Sequence, residues 1–110
     1  MNWKMTIAKN ISNLYGLTNT FIKHHPDHRI LMYHSVGDKV IFDPSNIYSI
    51  DENIFKQQME CILNKYSNNV VGLSTDMLQN ENNSVAITFD DGYKDNLYVA
   101  SPILEELKLP

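Results

Sequence analysis

Two short, nearly continuous apolar runs separated by an amphipathic stripe constrain this chain more than any other feature. Ile30-Leu31-Met32-Tyr33 and Val85-Ala86-Ile87-Thr88-Phe89 read as strands covered on both faces, the pattern of buried parallel strands. Between them Phe55, Met59, Ile62, Leu63 and Tyr66 recur at helical spacing and form one apolar face. Ser49 and Glu52 stand in capping-box spacing, and Asp51 favours the positive end of that helix's dipole. Cys61, beside the stripe, reads as a small buried hydrophobe. Residues 38–48 have little periodicity and read as a surface excursion. Val70-Val71-Gly72-Leu73 reads as another short strand, with Ser74 or Thr75 capping a brief helix over Met77 and Leu78.

At the start of the chain Ile7, Ile11, Leu14 and Tyr15 outline a short amphipathic helix that Gly16 would stop. A polar linker containing His24-His25-Pro26-Asp27-His28 follows. This divides the chain into an N-terminal helix and linker over 1–28 and an α/β unit over 29–110. In its last stretch Leu97, Ala100, Ile103, Leu104 and Leu107 share a helical face, interrupted by Pro102. Two readings follow: a kinked helix from about Asn96, or a turn and then a helix capped by Ser101 with Pro102 at its first position. The order helix, strand, helix, strand, helix is that of an α/β protein with parallel strands.

Composition narrows the function classes. The 110 residues are too few for a complete (β/α)₈ barrel, while 43% hydrophobic residues are enough to fill a core. A net charge of −4 offers nucleic acid no electrostatic footprint. A lone cysteine excludes an internal disulfide and a Cys-based zinc cluster. No apolar run approaches the roughly 20 residues of a transmembrane helix. The first 16 residues lack the apolar core of a secretory signal; as written the chain reads as cytoplasmic, but its location stays open.

The chemistry resides in Thr88-Phe89-Asp90-Asp91-Gly92. Two adjacent carboxylates end a strand where α/β folds place reactive groups. Neighbouring residues there point different ways, so one can hold a cation while the other faces substrate. Gly92 permits the tight turn this requires. Read from composition alone, the same residues also suit a plain Asp-Gly surface turn.

The run from Val85 to Tyr93 resembles the first signature motif of the polysaccharide deacetylase family, the NodB-homology domain. Ile30-Leu31-Met32-Tyr33-His34-Ser35-Val36 resembles that family's opening strand. Phe55, Gln58, Leu63 and Tyr66 match the helix between the two motifs, and Asp95-Asn96 with Ala100-Ser101-Pro102-Ile103-Leu104 match the helix that follows. The resemblance covers residues 30–110. It implies the N-terminal part of a distorted (β/α) barrel that removes acetyl groups from an acetylated polysaccharide or oligosaccharide with a divalent metal (Zn, Ni, Co or Fe). By the same resemblance Asp90 is the general base, Asp91 a metal ligand, and His34 a residue that lines the site or orients substrate. Such a metal lowers the pKa of its water and polarises the acetyl carbonyl, and a nearby carboxylate takes the proton.

The family's remaining ligands are two histidines in a later His-Ser/Thr-x-x-His motif, and no histidine follows His34. Catalytic metal sites usually need three protein ligands. The chain is therefore expected to be a truncated product or fragment, inactive alone. His24 and His28 repeat the His-x-x-x-His spacing, but they precede the first strand and read as a solvated cluster. His34 also has a purely structural reading, as a hydrogen-bonded histidine at a strand end. Tyr33 and Tyr93 read as packing residues, and Asp95 or Asn96 as a helix cap. Two rivals to the deacetylase reading are a non-catalytic α/β remnant or interaction fragment, and a Mg²⁺-dependent phosphoryl-transfer site. The second lacks any glycine loop or lysine to cradle phosphate.

Overall fold

A computed structural model describes residues 25–38, 43, 45 and 47–110. The helix expected over Ile7 to Tyr15, and His24, lie outside the described residues. The described chain is a small mixed α/β unit whose strands pair in parallel. Strand β1 (His28–Tyr33) and strand β4 (Ser84–Phe89) run side by side from His28↔Ser84 to Tyr33↔Phe89. Strands β2 (Ser35–Val36) and β3 (Ser49–Ile50) form a second parallel pair. Helix α1 (Glu52–Tyr66) lies between β3 and β4 in sequence.

Because paired residues share a face of a parallel sheet, Leu31, Tyr33, Val85, Ile87 and Phe89 line one side of β1–β4 and meet the apolar stripe of α1. Phe55, Met59, Val85 and Val36 are buried at the centre of this core, with Ile62, Leu63 and Tyr66 partly buried around them. Tyr33 packs edge-on to Phe55 at 5.1 Å between ring centroids, so it is a packing residue as expected. The opposite face carries Ile30 and Met32, which remain 58% and 59% exposed.

Several local readings change. The first strand begins at His28, whose ring Nδ1 lies 2.8 Å from Ser84 Oγ across the β1–β4 pair, so His28 is a strand residue and not part of a solvated cluster. Asp51, not Ser49, caps α1: its carboxylate accepts the Asn53 and Ile54 N–H groups, while Ser49 belongs to β3. Cys61 is exposed and borders an open groove that it shares with Arg29, Leu31, Ile62 and Tyr66. Of the strand expected over 70–73, only Val70 pairs, as one parallel bridge to Val85. A short 3₁₀ turn, Thr75–Gln79, follows it and buries Met77 but not Leu78. The excursion before β3 is pinned by buried Asp43, which accepts the N–H groups of Ile47, Tyr48 and Ser49.

Pro102 is accommodated by the first of the two readings, with a modification. The helix opens with a π turn over Asn96–Ala100 and continues as α2 (Ser101–Glu106). Ser101 N–H reaches back to Asn96 O, five residues rather than four. The wider turn lies where a proline ring crowds the preceding carbonyls. It also delays the helical phase, so Leu97 ends 65% exposed instead of facing the core. Ala100 and Ile103 keep their expected burial.

Candidate functional site

The carboxyl ends of β1 and β4 lie side by side, and the residues singled out in the sequence are there. Parallel pairing persists one step past the strands, with the Asp90 N–H donating to Tyr33 O at 2.8 Å. The chain then turns sharply: Asp91 has φ +67° and Gly92 φ +59°. Glycine takes this left-handed region freely, whereas for an aspartate in it the strain is of order 1 kcal/mol. Positive φ at successive Asp and Gly is also the geometry of the plain Asp-Gly turn.

The turn sends the two aspartates different ways. Asp91 bends back toward β1, placing Oδ2 3.7 Å from His34 Nε2. The Asp91 side chain is 62% exposed and that of His34 only 18%, so an ion pair with protonated His34 is screened and weak. Asp90 is exposed and faces outward. His34 packs edge-on to Tyr48 at 5.2 Å and forms one wall of an open notch of about 220 Å³ that also touches Met32, Tyr48, Ile50 and Gln58.

Imidazole and carboxylate are suitable donors for Zn, Ni, Co or Fe. Among the described residues, however, no group of three His, Cys, Asp or Glu side chains lies close enough together to hold a metal ion. The donors among the described residues are too few for a metal centre of their own.

Sequence reasoning missed two residues that border this site. Asp95 does not cap its helix; no side-chain cap bond forms there. Its Oδ2 instead accepts the hydroxyl of fully buried Ser35 at 2.5 Å. Among the described residues its Oδ1 and the Oδ1 of Asn96 are buried without a hydrogen-bond partner, a desolvation cost of about 1–3 kcal/mol for each such acceptor. The partners are 60 residues apart, so no local pattern announces them. Tyr33, behind the site, donates its hydroxyl to Gln58 Oε1, and burial raises its phenol pKa.

In comparisons with known proteins, the chain matches no family model, no curated protein and no solved structure. Among the described residues no helix is long and apolar enough to cross a membrane.

Proposed function

We propose that this chain carries the base-and-ligand portion of a metal-dependent polysaccharide deacetylase, a hydrolase acting on the acetyl group of an acetylated polysaccharide or oligosaccharide. The observation that carries the reading is the pair Asp90 and Asp91 at the carboxyl end of a parallel strand, with Asp91 3.7 Å from His34 on the neighbouring strand end. Asp90 accepts the proton of the attacking water. Asp91 would be one ligand of the divalent ion, whose remaining donors are not among the described residues. His34, on the wall of the notch, orients the substrate.

The sheet is, on this reading, the opening of a distorted (β/α) barrel. Support comes from the parallel β1–β4 pairing, from α1 packed on one face, and from Ile30 and Met32 exposed on the other. A closed barrel turns such a face inward. The same open face favours a second reading, a non-catalytic fragment that acts by association, since an uncovered apolar sheet is adhesive.

The test is acetate release from an acetylated chito-oligosaccharide or xylan. The 110-residue chain alone is expected to release none. Joined to a segment bearing His-Ser/Thr-x-x-His, it is expected to become active. In that active form Asp90→Asn should lower kcat by about 10²–10⁴-fold with metal still bound, and Asp91→Asn should weaken metal binding by at least about tenfold. Undiminished turnover in Asp90→Asn rejects the assigned base. Failure of every histidine-bearing extension to release acetate favours the association reading.

A further inference from the structure

We infer that Ser35 and Asp95 form a positioning clamp that holds the Asp90–Asp91 turn against His34. Three consecutive residues, from the last of β1 to the first of β2, each engage the loop that follows β4. Tyr33 O accepts the Asp90 N–H, His34 faces Asp91, and Ser35 donates its hydroxyl to Asp95. The loop from Asp90 to Asp95 is thus fastened at both ends, to residues 33 and 35, with the His34–Asp91 contact enclosed between the fasteners. That enclosed contact is weak and largely solvent-exposed, so it cannot set its own geometry. The Ser35–Asp95 bond can, being buried at Ser35 and charge-assisted.

The π turn is what makes the clamp reachable. Its extra residue per turn delays the helical phase, which carries Leu97 outward and turns Asp95 toward β2. Isolated π turns often mark functional positions. Val99 then packs beside Gly37, where an added Cβ would meet its methyl groups at 3.6 and 3.8 Å, so the helix sits close to β2. Among the described residues the arrangement leaves Asp95 Oδ1 and Asn96 Oδ1 buried without partners. A helix start optimised for stability alone would use Asp95 as a cap and bury no orphan acceptor.

The mechanical part of the inference stands on geometry, and its bearing on metal binding rests on the deacetylase reading. Two measurements separate them, using Ser35→Ala, Asp95→Ala and the conservative Asp95→Asn, which keeps an acceptor for the Ser35 hydroxyl. In the first, amide hydrogen exchange is followed at Asp90 and Asn96, whose bonds to Tyr33 O and Tyr93 O bracket the turn. Ser35→Ala and Asp95→Ala are expected to accelerate both by about tenfold, the effect of losing one charge-assisted hydrogen bond. Asp95→Asn should restore most of the protection, and Phe55 and Met59 in α1 should exchange as in the unmodified chain. Unchanged exchange at Asp90 and Asn96, or equal acceleration throughout α1, overturns the clamp.

In the second measurement, Mn²⁺ or Co²⁺ is titrated into the chain joined to a segment bearing His-Ser/Thr-x-x-His, because the described residues alone hold no group of three donors, while broadening of the His34 and Asp91 resonances is recorded. The ion concentration for half-broadening should rise about tenfold in Ser35→Ala and recover in Asp95→Asn. Equal broadening in Ser35→Ala and the unsubstituted joined chain overturns the clamp's role in ligand placement. Absence of broadening in the joined chain without these substitutions counts against the deacetylase reading instead, while the exchange result still decides the clamp.

Discussion

The Asp43 carboxylate illustrates how much one side chain can organise in a segment without periodicity. Burial alone would raise its pKa, but donation from the Ile47, Tyr48 and Ser49 N–H groups and from the Ser49 side chain outweighs that and leaves it below the usual aspartate value. A carboxyl whose folded pKa is lowered adds stability that is fully present above the ordinary value near 3.8. That contribution is lost as pH falls through the lowered folded value. Protection of the Ile47 and Tyr48 amides is therefore expected to hold at pH 5 and to fall below about pH 3.8. Asp43→Asn should flatten this acid limb, and an unchanged acid limb in that variant would show that other carboxyls govern it. The catalytic candidates differ in legibility at this same scale. Asp90, Asp91 and His34 were readable because each sits at the end of a strongly apolar run. Asp43, Ser35 and Asp95 were not, because nothing in their immediate neighbours distinguishes a structural anchor from a loop or cap residue.

At the scale of elements, the stripe of α1 carries most of the core. Phe55 is fully buried, edge-on to Tyr33 at 5.1 Å and inclined to Phe89 at 6.0 Å, so it joins the helix to both strands of the main pair. Phe55→Ala is expected to destabilise the chain by about 3–5 kcal/mol, measured as a shift in the urea midpoint. That is a large share of the roughly 5–15 kcal/mol typical of a domain. A shift below about 1 kcal/mol would mean that α1 is not docked as described. Helix α1 was legible because its period is carried by residues one or two turns apart. The last helix was only partly legible: the same periodicity put Leu97 on the core face, and one π turn ahead of Pro102 moved it to solvent. The cap of α1 shifted from Ser49 to Asp51 for a related reason, since pairing of Ser49–Ile50 with Ser35–Val36 claims the backbone that a capping box would need.

For the whole molecule, the consequence of apolar side chains left exposed on the second face of the sheet, where only Ser84 and Ala86 are fully buried among the described residues, is association. Ile30 lies beside exposed Leu73 and Leu78, Met32 is exposed on the same face, and an open groove between α1 and the sheet borders exposed Cys61. Concentration-dependent self-association is expected in sedimentation velocity, and Met32→Lys should reduce it by placing a charge on the open face. Sedimentation as a monomer at all concentrations would show that this face is covered in solution. What the amino-acid order determined by itself was the alternation of strands and helices, the inward stripe of α1, and the pairing of an apolar strand with two terminal carboxylates. All of these are periodic or contiguous features, encoded within a few residues. What only the tertiary structure decided was which strands pair, which apolar faces stay open, and that Asp95 turns from its own helix to a serine 60 residues away. Those outcomes depend on sheet register and helical phase, which a single inserted residue per turn can redirect and which no short window of sequence contains.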